Sequence, residues 1–243
     1  MKKKKDKLFL IIALIALLAV LAGLVALLSR GEESEQAAAQ SVGVGYKVVI
    51  DAGHGLPDVG AIGTTLQTEE EGINLSIAKK LQAYLESVGF EVVMTREDHE
   101  AIAETKTEDM AMRREIISNS EQDVTISIHQ NFFEGGADAS GPQVFYAPGS
   151  EQGQALAECI QAALNAELAP ESPRYAHEGD YYIVKSGAPP AVIVECGFLS
   201  NPAEEALLNK SQYQVKIVTA IAQGLVNYLQ PAPAEQAGTE SAS

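Results

Sequence analysis

The chain has 243 residues, of which 46% are hydrophobic, and this is enough for one domain with a sizeable core. Six of its 17 basic residues but only one of its 33 acidic residues fall within residues 1–30, so residues 31–243 carry a net charge of −21. Such an acidic surface serves solubility and argues against nucleic acid or anionic lipid as a partner of that part of the chain.

The N-terminal segment has the pattern of a membrane anchor. Five of the first seven residues are lysines, and residues 8–28 then form an uncharged run of 21 residues. As a helix this run would be about 30 Å long, which matches the hydrocarbon core of a bilayer. Since the basic residues stay in the cytoplasm, everything after Arg30 is expected outside. A cleaved signal peptide, with small residues at 37–39 as the cleavage site, is the alternative, and it would make the protein secreted.

This interpretation divides the chain into five parts. Residues 1–7 form a cytoplasmic basic head, 8–28 a transmembrane signal-anchor helix and 29–45 a flexible linker of small and polar residues. Residues 46–230 form the folded domain, and residues 231–243, which lack apolar periodicity, form a disordered tail. The protein is thus expected in the cell membrane as a single-pass protein, with its domain on the extracytoplasmic side.

From Tyr46 to Leu229, short apolar runs alternate with stretches of helical periodicity. The predicted strands are 48–50, 90–94, 124–128, 143–146, 181–184 and 191–194, and the predicted helices are 73–88, 110–118, 151–168 and 212–229. The strand at 143–146 follows Gly141-Pro142 and is expected at an edge of the sheet. The alternation predicts a single α/β domain, with a mainly parallel, twisted sheet of about six strands and helices on both faces.

Three of the predicted strands end in residues that bind metals or move protons. The segment VVIDAGHG, residues 48–55, places His54 between two glycines after a buried strand. The run VTISIH ends at His129, and the run AVIVE ends at Glu195. An acidic cluster, Glu69 to Glu71, lies between the first two of these strand ends in the sequence. Open α/β sheets bind ligands outside the carboxyl ends of their strands, so these side chains are expected at one edge.

These residues form the set that metal-assisted amide hydrolysis requires. A catalytic zinc takes three protein ligands and leaves one position for water, whose pKa it lowers to about 7. A nearby carboxylate then takes a proton from this water and returns it to the leaving nitrogen. His54, His129 and a glutamate of the acidic cluster can supply the ligands, and Glu195 the free carboxylate. Taken singly, a strand-end histidine is more often a core residue, and a run of glutamates is more often a solvated face.

Four segments carry a resemblance to a known family. They are IDAGHG at 50–55, EEGINLSIAKKL at 70–81, SIHQN at 127–131 and VIVECGFLSNPAEE at 192–205. Together they resemble the zinc-dependent N-acetylmuramoyl-L-alanine amidases of bacterial cell walls, the amidase type 3 family.

The resemblance implies a role for four residues. His54, Glu70 and His129 would bind Zn²⁺, and Glu195 would be catalytic. Asn74 sets the register for Glu70 against its neighbours in the acidic cluster, since in the family a glutamate ligand precedes an asparagine by four residues. Two positions depart from the family pattern: Gln130 stands where a small residue is usual, and Cys196 stands where Val or Thr is commoner.

The resemblance also implies a substrate and partners. The bond cut would be the amide between the lactyl group of N-acetylmuramic acid and the L-alanine of the peptidoglycan stem peptide. The expected partners are peptidoglycan, the membrane through the N-terminal helix, and an activating protein. Length, anchor and the lack of accessory domains resemble the amidases that prepare spore cortex for germination. Two alternatives stay open: a zinc peptidase that acts within the stem peptide, and a non-catalytic peptidoglycan-binding scaffold on the same fold.

Overall fold

The computed structural model describes residues 42–185 and 189–231. Within these ranges the chain forms one α/β domain. The strands are β1 (Lys47–Ala52), β2 (Glu91–Met94), β3 (Val124–Asn131), β4 (Gln143–Tyr146), β5 (His177–Glu178) and β6 (Ala191–Phe198). The α-helices are α1 (Glu70–Ser87), α2 (Lys106–Asn119), α3 (Glu151–Leu168), α4 (Pro202–Leu208) and α5 (Ser211–Leu229), and Ile183–Lys185 forms a 3₁₀ turn.

Several predictions for the two ends of the chain lie outside the described residues. These are the basic head, the membrane helix at 8–28, most of the linker, and the tail from residue 232. None of the helices in the described ranges is long and apolar enough to cross a bilayer.

The strands form one sheet in the order β2-β1-β3-β6-β4-β5. β1 runs parallel to β2 and β3, and β3 runs parallel to β6. β4 is antiparallel to β6, and β5 is parallel to β4. The prediction of a single α/β domain with a mostly parallel sheet is therefore confirmed. The expected edge position of 143–146 is taken instead by the two-residue strand β5.

Alternation along the strands divides the core between the two faces of the sheet. Val48 and Ile50 of β1 belong to the larger cluster, which contains buried side chains of α1, α3 and α5. Val49 belongs to a smaller cluster, together with Ile117 of α2 and Ile183 of the 3₁₀ turn. Helices therefore cover both faces, but the three longest helices cover one face and α2 covers the other.

Helix α1 places its first residue at the edge of the sheet where the site lies. Buried apolar residues recur every four positions along it: Ile73, Ile77, Leu81 and Leu85. This spacing gives the helix one apolar stripe, which packs on the sheet. Two glutamates in its first turn suit the positive end of the helix dipole. The stripe thus fixes where the acidic N-terminus of α1 lies.

The predicted strand at 181–184 is wrong. Ile183 and Val184 are both buried, in a 3₁₀ turn that packs with Ile193 on the face covered by α2. A short apolar run does not by itself distinguish a buried strand from a buried helical turn. The apolar pattern also fails to predict β5 and α4, which are only two and seven residues long.

Two helical glycines, one at the contact of α5 with α3 and one away from it, test the close packing of these two helices. A Cβ on Gly224 of α5 would lie 2.4 Å from Ile160 Cα of α3, whereas a Cβ on Gly72 of α1 would have His99 Cε1 at 3.9 Å as its nearest contact. We expect Gly224→Ala to lower the free energy of unfolding by about 1–3 kcal/mol, because the two helices are forced apart. Gly72→Ala should raise it by about 0–1 kcal/mol, because alanine is the better helix former. Urea unfolding measures both values, and equal values would contradict the close helix contact.

Candidate metal centre

Three adjacent strands have their carboxyl ends side by side. β1, β3 and β6 are parallel neighbours, and His129 on β3 and Glu195 on β6 are register partners. Beyond β1, Gly53 continues the ladder by donating its N–H to the carbonyl of Ile128 over 3.1 Å. The ring of His54 then lies edge-on to the ring of His129, with 5.1 Å between the centroids. The fold therefore brings His54, His129 and Glu195 together.

The backbone around His54 has an unusual conformation and leaves little space between the site side chains. The φ of His54 is 61°, in the left-handed region, which costs a residue with a side chain about 1–2 kcal/mol. A Cβ on Gly53 would lie 2.3 Å from the His129 ring, and a Cβ on Gly60 would lie 2.5 Å from Glu70 Oε2. The two glycines are therefore needed for the close approach of the site side chains.

Glu70 lies between the two imidazoles. It is the first residue of α1 and is 4% exposed. Its Oε2 lies 3.2 Å from His54 Nε2, and its Oε1 lies 3.0 Å from His129 Nδ1. One ring nitrogen of each histidine and one carboxylate oxygen of Glu70 all lie within 4.8 Å of one another. These three residues could hold a metal ion.

Three further donors hold the Glu70 carboxylate. Ala61 N donates to Oε2 over 2.9 Å, and Gln130 N and Asn74 Nδ2 each donate to Oε1 over 3.1 Å. Burial raises the pKa of Glu70, but hydrogen bonds from the two histidines and their charges outweigh it and hold the pKa well below the usual range. The carboxylate is therefore ionised, as a metal ligand must be.

The other two glutamates of the acidic cluster point elsewhere. Glu69 is exposed. Glu71 is buried, but one of its oxygens lies 2.9 Å from His99 Nδ1 and the other 3.6 Å from Arg96 Nη1. Of the three glutamates, only Glu70 contacts both site histidines.

Glu195 lines the same cleft as the candidate metal ligands His54 and His129, and its pKa suits proton exchange. Burial raises the pKa of Glu195 to about 7; the positive imidazoles oppose this and the Glu70 charge adds to it. Its Oε2 is buried and has no hydrogen-bond partner. Burial lowers the pKa of His129, but the carboxylates of Glu70 and Glu195 raise it to about 9. A carboxyl whose pKa lies near neutrality can both accept and donate a proton at that pH.

The site opens into a cleft of about 300 Å³ on the face of the sheet covered by α2. Its walls include four residues that the sequence analysis does not identify: Asp58, Lys106, Tyr181 and Tyr182. Asp58 Oδ2 lies 2.9 Å from Lys106 Nζ and 3.1 Å from His54 Nδ1, although this nitrogen makes no well-aligned hydrogen bond. No sequence pattern marks Asp58, and the two tyrosines are the first two residues of the segment wrongly predicted as a strand, 181–184.

Comparisons with known proteins agree with the resemblance of the four segments. A family model described as N-acetylmuramoyl-L-alanine amidase (Amidase_3) matches residues 48–227, a range that contains every candidate site residue. The germination-specific N-acetylmuramoyl-L-alanine amidase of Bacillus subtilis (strain 168) is 33% identical over 192 residues, which are 76% of this chain and 80% of that protein.

Two solved structures share the fold. The CwlD amidase from Clostridioides difficile, in complex with the GerS lipoprotein, is 37% identical with a TM-score of 0.73, over 76% of this chain and 98% of that chain. The catalytic domain of CwlV, an N-acetylmuramoyl-L-alanine amidase from Bacillus (Paenibacillus) polymyxa var. colistinus, is 30% identical with a TM-score of 0.68, over 76% and 98%.

The geometry predicts that Glu70, and not its neighbour, binds the metal. We expect Glu70→Gln to weaken zinc binding by more than about 100-fold, because an amide does not replace an ionised ligand. Residues that only orient metal ligands typically change the affinity by about 10–100-fold. Glu69→Gln makes the same chemical change at an exposed position and should leave the affinity unchanged. Isothermal titration of both variants with Zn²⁺ measures the effect, and a similar loss in the two would show that the ligand is misassigned.

Proposed function

The chain belongs to the N-acetylmuramoyl-L-alanine amidase family, and we propose that His54, Glu70 and His129 hold its zinc ion while Glu195 is the general base and then the general acid. The protein is a cell-wall hydrolase that cleaves the amide bond between the lactyl group of N-acetylmuramic acid and the L-alanine of the stem peptide. A cell-wall amidase acts outside the cytoplasm.

One observation carries this proposal: an ionised carboxylate lies between two imidazoles, with a second carboxylate on the neighbouring strand. Zinc binds imidazole nitrogen and carboxylate oxygen at about 2.0–2.2 Å, so tetrahedral ligand atoms lie roughly 3.3–3.6 Å apart. The 3.0 and 3.2 Å contacts of Glu70 with the imidazoles involve its two different oxygens, and one ligand atom from each of the three residues lies within 4.8 Å of the other two. Two imidazoles also favour zinc over hard cations such as Mg²⁺, which prefer oxygen ligands. The residues therefore fit the metal that the family resemblance implies.

The division of labour follows from the surroundings of each carboxylate. Zinc, when bound, supplies a Lewis acid that polarises the amide carbonyl and makes water acidic at neutral pH. The pKa of Glu70 is held well below the usual range, so this carboxylate is a weak base and suits the role of an ionised metal ligand. Glu195 has a pKa of about 7 and a free Oε2, so it accepts the proton of the attacking water and then donates it to the leaving amide nitrogen.

The walls of the cleft suggest how the substrate is held. The ring of Tyr181 packs edge-on to Phe145 at 5.4 Å, and the ring of Tyr182 lies 4.8 Å from the Arg114 guanidinium. These contacts hold two aromatic side chains beside the site, where a sugar ring or an apolar part of the peptide can pack against them. Lys106 adds a cationic group that suits a stem-peptide carboxylate.

The cellular setting extends the same proposal. The relative from Bacillus subtilis is germination-specific, and the CwlD amidase is seen in complex with the GerS lipoprotein. We therefore propose that this amidase acts on spore peptidoglycan during germination and that a protein partner regulates it. The uncharged run at 8–28 would anchor it at the membrane and hold the domain close to its substrate.

Replacing Glu195 by glutamine should separate metal binding from catalysis. The substitution keeps the size of the side chain but removes the base, so we expect kcat to fall about 10²–10⁴-fold while the bound zinc stays stoichiometric. Glu178→Gln on β5 is the matched control and should keep full activity. Release of stem peptides from purified peptidoglycan, followed by mass spectrometry, gives the rate. Full activity of the Glu195 variant would refute its assigned role.

Removal of the metal tests the reaction and its products together. We expect a chelator to abolish peptide release and one equivalent of Zn²⁺ to restore it, whereas Mg²⁺ should not, because the ligand set includes two imidazoles. The products should be intact stem peptides that begin with L-alanine. Shortened peptides would support a zinc peptidase instead, and the absence of any product with zinc bound would support a peptidoglycan-binding scaffold.

A further inference from the structure

Three successive backbone carbonyls at the end of β1 are held by buried arginines. The carbonyl of Ala52 accepts hydrogen bonds from Arg96 Nε at 2.8 Å and from Arg113 Nη1 at 2.6 Å. The carbonyl of Gly53 accepts from Arg96 Nη2 at 2.9 Å, and the carbonyl of His54 accepts from Arg113 Nη2. Both arginines are among the most buried residues of the domain, with 3% and 1% exposure. Side chains therefore hold the backbone on both sides of the His54 Cα.

Arg96 also connects two of the segments that carry metal-ligand candidates. Its Nη2 donates to the carbonyl of Glu71 over 2.9 Å as well as to that of Gly53. Gly53 directly precedes His54, and Glu71 directly follows Glu70. One nitrogen atom therefore fixes the distance between the end of β1 and the first turn of α1.

Arg113 is itself fixed by carboxylates. Its Nη1 donates to Asp51 Oδ1 over 2.8 Å, and its Nε donates to Asp109 Oδ2 over 2.6 Å. Asp51 accepts further hydrogen bonds from Thr95 and Ser127. The guanidinium is thus held on one side by the acidic groups and donates on the other side to the backbone of residues 52 and 54. A planar group with several donors in a rigid fork can do this, and a lysine cannot.

We propose that Arg96 and Arg113 are positioning residues for the metal centre, which hold His54 in its left-handed conformation and at the correct distance from Glu70. The conformation at φ 61° is unfavourable for histidine, so a free loop would leave it. The arginines hold the carbonyls of Ala52, Gly53 and His54, and thereby orient the imidazole of His54 before any metal binds. This inference rests on the metal site of the proposed function.

Lysine variants test the proposal, because they keep the positive charge and remove the fork. We expect Arg96→Lys and Arg113→Lys each to weaken zinc binding by about 10–100-fold, the range typical of residues that orient metal ligands. Competition with a chromophoric chelator measures the affinity. The visible spectrum of the Co²⁺-substituted protein reports the ligand geometry and should change in both variants.

Arg174→Lys is the matched control. Arg174 also donates to a backbone carbonyl, that of Ser140 at 2.7 Å, and to Gln143 Oε1 at 3.1 Å, but it contacts none of the metal-ligand candidates. Its zinc affinity and Co²⁺ spectrum should match those of the wild type. Urea unfolding of the metal-free proteins separates loss of stability from loss of affinity.

The outcomes are distinct. Weaker zinc binding by folded Arg96→Lys and Arg113→Lys, with no change in Arg174→Lys, supports the proposal. Wild-type affinity and an unchanged Co²⁺ spectrum in both variants would overturn it and leave the proposed zinc site intact. If Arg113→Lys does not fold, Arg96→Lys decides, because it leaves the contacts of Arg113 with Asp51 and Asp109 in place. Absence of zinc binding by the wild type would overturn the proposed function and this inference with it.

Discussion

The rest of the site depends on one buried carboxylate that lies between two imidazoles. An ionised group such as Glu70 is costly to bury unless it is paired and hydrogen-bonded. The chain meets this requirement with two ring nitrogens, two backbone amides and the side-chain amide of Asn74. These donors come from the end of β1 and the loop that follows it, from β3 and from α1 itself. Because one carboxylate gathers groups from so many segments, the fold itself brings the candidate metal ligands together.

The two site carboxylates differ because both histidines hydrogen-bond to Glu70, whereas they act on the pKa of Glu195 only through their charge. Arg96 and Arg113 lie behind the end of β1, where they contact backbone carbonyls and the carboxylates of Asp51 and Asp109. In the part of the chain that the structure describes, neither Lys nor Arg contributes to the pKa of Glu195, whose shift comes from burial and from the site residues. The two arginines therefore hold the backbone at the end of β1 and do not take part in the pKa shift of Glu195.

The sequence identifies which residues lie together at the carboxyl ends of the strands better than it predicts the short elements of the fold. Apolar runs mark the buried strands, and His54, His129 and Glu195 stand at or just after the ends of these runs, where open α/β sheets bind ligands. Glu70 is identified from Asn74, and the physical reason is visible: residues four apart share one face of a helix, so the Asn74 amide donates to the Glu70 carboxylate. The segment 181–184 is mispredicted because its apolar residues pack on a sheet face, which local periodicity does not reveal. The contact of Asp58 with Lys106 depends on two loops meeting in space, and no local pattern encodes that.

The unequal covering of the two sheet faces explains why the cleft lies where it does. In β3, the segment VTISIH alternates apolar residues, which face the larger cluster, with polar ones, which face α2. Ser127 on that polar side donates to Asp51, and His129 follows two positions later at the strand end. On this side α2 and the 3₁₀ turn cover the sheet through a small apolar cluster that includes Val49 and Ile193. Towards the carboxyl edge the polar row continues, and the surface there stays open as the cleft. The same alternation that splits the core between two faces therefore also places His129 and its neighbouring site residues on the side of the cleft.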